Sequence, residues 1–181
     1  MPVTYEHIEH AAKTLEGVVK HTPLELSTRL SEQYNATVYL KREDLQEVRS
    51  FKIRGAYNKI ASLTDEEKVH GIVCASAGNH AQGVALAARQ AQVPAVIIMP
   101  ADAPRMKIEN TRALGAEIVV VSLHWGAEGV HEPTSYQREV ADRLTASGII
   151  DLIVGHHAHV VQPIERVNDT WVLYGLGNIL S

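Results

Sequence analysis

The sequence predicts an α/β fold, a mostly parallel sheet flanked by helices in three αβα layers. Three observations predict it. Short, wholly apolar runs such as AVIIM at 95–99 and IVVVSL at 118–123 have the length and β-branched content of buried strands. Single amphipathic stretches separate them, as right-handed βαβ crossovers require. Helix stop and start signals fall between the runs.

In chain order, Thr4 to Leu15 reads as a helix capped by Thr4, and TVYL at 37–40 as a strand. Lys52 to Leu63 reads as a helix that stops before Thr64. Thr64 then caps a short helix, with Glu67 three residues on completing a capping box. GIVCA at 71–75 is a strand, and Asn79 to Gln92 an alanine-rich helix. Ala95 to Met99 is a strand ended by Pro100. Pro104 to Leu114 is a helix with proline in its first turn and Gly115 after its end. After the strand at 118–123 come a helix at Tyr136–Ala146 ended by Gly148, a strand at 152–154 and a last strand at 169–173.

The chain has 181 residues, room for one domain or two small ones. Its net charge of −4 and lack of a basic run argue against a nucleic-acid partner. No apolar stretch reaches the roughly 18–20 residues of a membrane span, so no membrane partner is expected. The N-terminus lacks the apolar core of a secretory leader. One cysteine, Cys74, leaves no internal disulfide and fits a reducing compartment. A cytoplasmic location is expected.

Two constellations carry chemistry. In the first, Lys52 opens a helix behind the aromatic Phe51. A lysine amine can form a Schiff base with an aldehyde cofactor, although a lone lysine usually only faces solvent. Ser76-Ala77-Gly78-Asn79-His80-Ala81-Gln82-Gly83 follows a strand and opens a helix, where backbone N–H groups bind anions and Gly78 admits close approach. Alone, this would pass for an ordinary strand–helix turn.

With His21-Thr22-Pro23-Leu24, Leu40-Lys41-Arg42-Glu43-Asp44-Leu45, Met99-Pro100, Lys107 and Leu114-Gly115-Ala116 in the same order, residues up to 121 resemble the threonine dehydratase and serine racemase family, the fold-type II pyridoxal phosphate (PLP) enzymes. The resemblance implies that Lys52 is the Schiff-base lysine. Phe51 would lie near the cofactor ring and Asn79 would contact its hydroxyl. Ser76, Gly78, His80 and Gln82 would line the loop for the carboxylate of a small amino-acid substrate. It also implies an ammonia-lyase reaction on threonine or serine, and dimers or tetramers. The family's tetraglycine phosphate loop and its partner for the pyridine nitrogen have no counterpart here, so the cofactor site is expected to be incomplete, with impaired or no activity.

The second constellation is histidine-rich. His124 ends one apolar run, and Gly155-His156-His157-Ala158-His159 follows another. In extended backbone His157 and His159 would point the same way. Imidazoles at such positions suit Zn, Mn or Fe. His124-Trp125-Gly126 with Glu128, Pro133, Gln137, Gly155 to Val160, Gln162-Pro163-Ile164-Glu165 and Leu173 to Asn178 resemble the C-terminal part of calcineurin-like metallophosphatases of the poly-γ-glutamate capsule synthesis family. By that resemblance His124, His157 and His159 would be metal ligands, and three histidines could hold one divalent metal with open coordination. That family's upstream Asp-x-His motif is absent from the chain.

The two resemblances meet near residue 121. They divide the chain into a threonine dehydratase-like part, 1–121, and a metallophosphatase-like βαβ part, 122–181, as in a chimera. Three readings follow: a PLP-dependent lyase with an incomplete site, a metal-binding phosphoesterase fragment, or an α/β scaffold without catalysis.

Overall fold

The computed structural model describes residues 2–100 and 102–178. Its core is a six-stranded sheet of order β3-β4-β5-β6-β8-β7. The strands are β3 (Ile72–Ala75), β4 (Ala95–Pro100), β5 (Ile118–Trp125), β6 (Leu152–His157), β7 (Ile164–Val167) and β8 (Thr170–Leu173). Neighbours from β3 to β6, and β6 with β8, run parallel, and β7 pairs antiparallel with β8. Helices α5 (Asn79–Ala91), α6 (Arg105–Ala113) and α7 (Ser135–Thr145) make the crossovers. The expected α/β class, a mostly parallel sheet flanked by helices, is the one observed.

The two sheet faces are covered unequally. Cys74, Ala95, Ile97, Met99, Val119, Val121, Leu123 and Ile153 are all buried. Their neighbours Val96, Ile98, Leu152 and Val154 are half-buried, and Val73 is 71% exposed. The physical reason is topological. Strands that advance in one direction through right-handed crossovers place every crossover helix on the same face. The crossover helices α5, α6 and α7 accordingly share the more buried face. The next helical layer is α3 (Lys52–Ala61), which packs on α5. Residues 81–88 of α5 are buried without a break, because sheet, α3 and α6 surround that helix.

The N-terminal region adds α1 (Tyr5–Thr14), the short helix α2 (Thr28–Tyr34), and a separate antiparallel pair, β1 (Leu24–Leu26) and β2 (Tyr39–Lys41), exposed throughout. Before α3 lies a 3-10 turn, Glu43–Leu45. Glu43 ties these pieces down: it accepts two hydrogen bonds from Arg54 of α3, one from Thr22 and one from Gln46.

Local signals explain the helix ends. The capping box at Thr64 and Glu67 opens α4 (Asp65–His70), and the Thr64 N–H holds the Glu67 carboxyl below its usual range. Gly115 follows α6 at φ +115°, a conformation that glycine tolerates.

The strands at the centre run longer than the apolar pattern predicts. β5 continues to Trp125 and β6 to His157, so His124 and His156 are cross-strand neighbours. β5 passes through the joint expected at 121/122 without interruption. Arg112 of α6 spans the same region: it pairs with Asp151, whose carboxylate also accepts the Val119 N–H. Among the described residues, no helix is long and apolar enough to cross a membrane.

Candidate functional site

The four parallel strands β3 to β6 deliver their following loops to one edge of the sheet, the carboxyl edge, where α/β folds hold ligands. Both constellations lie there. The Ser76–Gly78 loop follows β3, and the histidines follow β5 and β6, about 10–14 Å along the edge at the usual strand spacing.

In the first site, Lys52 is the first residue of α3 and Asn79 the first of α5. Gly83, one turn into α5, lets the helices touch. A Cβ there would sit 3.0 Å from the Lys52 carbonyl carbon and Cβ, so a larger residue would push Lys52 away. Lys52 Nζ lies 5.1 Å from the centre of the Phe51 ring, which is itself 59% exposed. Gly78 caps α5 without a side-chain hydrogen bond, and a Cβ on it would project into open space. The first N–H groups of α5 therefore face an unobstructed approach for an anion. Ser76 is half-buried, its hydroxyl accepting from the Gly78 N–H, and His80 is exposed. Gln82 is 4% exposed.

Sequence reasoning assigned no role to Lys107, half-buried on α6, whose Nζ donates to Asn79 Oδ1 at 2.7 Å and to Gln82 Oε1 at 3.2 Å. Its spacing from the loop, 28 residues from Asn79, could not announce the contact.

These groups fit the ring end of PLP: an amine to hold its aldehyde, an amide for its hydroxyl, and a helix N-terminus for a substrate carboxylate. The chain's Gly175-Leu176-Gly177 segment is engaged elsewhere. The Leu176 N–H donates to the Gly155 carbonyl, and Leu176 bridges to Val161. Gly175 packs against Gln162. This segment belongs to the end of β6 and is not a phosphate loop beside Lys52.

In the second site, the ligand atoms of Glu128, His157 and His159 lie within 4.8 Å of one another. Two details differ from the sequence reading. His157 and His159 are not in extended backbone; their φ angles are +93° and +56°. That positive-φ path is uncommon for residues with a Cβ, and it leaves the two ring centroids 6.3 Å apart. The third partner is Glu128, not His124. His124 instead packs its ring beside that of His157, with centroids 4.4 Å apart and planes tilted by 39°.

Glu128 arrives because its loop is tied to the β6 end. The Gly129 N–H donates to the Ala158 carbonyl, and buried Gln162 bridges the Val130 carbonyl to buried Gln137 of α7. His159 Nδ1 lies 2.8 Å from Asn178 Oδ1. An acceptor there favours the proton on Nδ1 and leaves the Nε2 lone pair for a ligand. His156, the remaining member of the run, pairs with the Ser122 hydroxyl at 2.6 Å.

With this geometry in place, the class of the protein follows. The family model described as pyridoxal-phosphate dependent enzyme matches residues 15–176, and the chain belongs to that family. It is 55% identical over 118 residues to an L-threonine ammonia-lyase of Thermotoga maritima, covering 65% of this chain and 29% of that protein. It is 53% identical over 122 residues to a biosynthetic L-threonine dehydratase of Staphylococcus epidermidis, covering 66% and 29%. Among solved structures it is similar to maize serine racemase, with a TM-score of 0.63 and 30% identity over 87% of this chain and 44% of that one. The chain thus spans under a third of the length of these curated relatives.

Proposed function

We propose that this chain is the lysine-bearing part of a PLP-dependent ammonia-lyase for threonine or serine, with a cofactor site that the chain by itself leaves incomplete. The observation that carries this reading is the seating of Lys52 against Gly83, one turn from Asn79. When bound, PLP supplies an electron sink for the bonds at the substrate's α-carbon. Lys52 would hold the cofactor's aldehyde carbon and move a proton at Nζ. Asn79 would orient the ring through its hydroxyl, with Phe51 beside it. Ser76, Gly78, His80 and Gln82 would bind the substrate carboxylate together with the first N–H groups of α5.

Incompleteness is supported by the span, 29% of the ammonia-lyase's length, and by the engagement of Gly175–Gly177 elsewhere. A phosphate without its N–H cradle lacks several charge-assisted hydrogen bonds, each worth about 1.5–3 kcal/mol. The test is incubation with PLP, borohydride reduction and peptide mapping. The adduct is expected on Lys52 and is expected to vanish in Lys52→Ala. Absence of any adduct on wild-type Lys52 would overturn the reading. Turnover of threonine at the rate of a full-length ammonia-lyase would overturn the incompleteness.

A second reading applies to residues 122–181 and rests on the cluster of Glu128, His157 and His159. Two imidazoles and a carboxylate suit one Zn, Mn or Fe ion with open coordination, the arrangement of a hydrolytic centre, whereas the metallophosphatase resemblance implies His124 where Glu128 stands. The family model nevertheless runs across the 121/122 joint to residue 176. Metal analysis after dialysis against Zn decides the matter: about one ion per chain, lost in His157→Ala, is expected, and none bound rejects the site.

A further inference from the structure

We propose that Lys107 is a positioning residue that sets the amides of Asn79 and Gln82 as paired donors toward an anionic oxygen ligand. This deepens the PLP reading and rests on it for the identity of that ligand. A carboxamide has two ends, one an acceptor and the other a donor of two hydrogens. Lys107 has only donors. Its ammonium lies 2.7 Å from Asn79 Oδ1 and 3.2 Å from Gln82 Oε1, so both amides must turn their acceptor ends to it. Their NH₂ ends are thereby turned away from Lys107, and neither has a protein acceptor among the described residues. A neutral side chain in place of Lys107 would leave both amides free to flip and present a carbonyl oxygen instead.

Two donors beside the N-terminus of α5 and a fixed cation behind them select an oxygen bearing negative charge. On the cofactor that oxygen is an ionised ring hydroxyl, and on a substrate it is the carboxylate. Lys107 comes from the helix after β4, whereas the amides follow β3. The packing of α5 on α6 therefore sets the polarity of the site without Lys107 touching the reacting atoms.

The experiment compares wild type with Lys107→Met and Lys107→Arg in two measurements. In the PLP-free protein, the side-chain carbonyl and amide NMR signals of Asn79 and Gln82 are recorded. They are expected to shift in Lys107→Met and to return toward wild type in Lys107→Arg. With PLP, the pH titration of the bound chromophore is followed. Loss of the cation is expected to move ring-hydroxyl ionisation to higher pH and to weaken PLP binding about tenfold, the effect of one lost charge-assisted contact. Unchanged amide signals in Lys107→Met overturn the proposal. A wild-type protein that binds no PLP overturns the cofactor reading alone, and the amide signals then decide the role of Lys107. Should Lys107→Met not fold, the ammonium ¹⁵N signal of wild-type Lys107 takes its place: slow proton exchange supports the contact, and exchange as fast as a free lysine overturns it.

Discussion

Single residues show most directly how this chain holds its site. Glu43 is the hub of the N-terminal region, accepting from Arg54, Thr22 and Gln46 with its side chain only 16% exposed. The Arg54 guanidinium is the main cause that lowers its carboxyl from the ordinary 4.5 to about 2. Because the folded value is depressed, the stabilisation is complete above pH 4.5 and fades as the pH falls through that value toward 2. Glu43→Gln is expected to cost about 1.5–3 kcal/mol in urea unfolding at neutral pH, and to flatten the acid limb of the stability profile. An equally steep acid limb in the variant would refute this account.

Gly155 makes a second test at the residue scale. A Cβ there would collide with the Tyr174 carbonyl oxygen and with Trp125 Nε1, which donates to that same carbonyl. Gly155→Ala is therefore expected to cost more than about 3 kcal/mol, because it must separate β6 from the Tyr174 strand end. Circular dichroism melts check it, and a melting temperature within a degree or two of wild type would contradict the packing.

Among the elements, α7 illustrates how a local signal serves a distant site. Thr134 accepts from the Gln137 N–H, while Gln137 Oε1 takes the Thr134 N–H, a capping box whose glutamine is fully buried. The other end of that glutamine donates to Gln162, which holds the loop carrying Glu128. Thr134→Ala is expected to cost about 1 kcal/mol as a lost cap and to weaken the Zn binding proposed for the Glu128, His157 and His159 cluster. Calorimetry on the two proteins measures both. Elements also show what sequence patterns conceal. The apolar pattern marks β8 but not its partner β7, although Asn168 and Asp169 at φ +46° and +64° make the tight turn between them. Two adjacent residues tolerant of left-handed backbone, between the alternating run IERV and the run TWVL, are the available signal.

For the whole molecule, the decisive feature is a sheet whose two faces are buried unequally. Burial differs accordingly between neighbours on one strand: Ile97 is fully buried and Val96 is not. Ile97→Ala is expected to cost about 2–5 kcal/mol and Val96→Ala about 1 kcal/mol. Equal costs in urea titration would mean that the second face is as well packed as the first. The same one-way topology carries both candidate sites to one edge, where no part of the 76–83 loop is adjacent in sequence to Lys107 or to the histidines.

The amino-acid sequence by itself determined the α/β class, most strands and helix caps, the PLP family, and Lys52 with the Ser76–Gly83 loop as candidate chemistry. Those properties rest on periodicity, capping and contiguous motifs, all of which act over a few residues. Tertiary structure alone decided that Lys107 reaches Asn79 and Gln82, that Glu128 lies beside His157 and His159, and that the two sheet faces are buried unequally. These depend on loops and helices meeting across 25 or more residues of chain, and on backbone at positive φ in His157 and His159. No local rule encodes such encounters, because the packing of neighbouring strands and helices settles them.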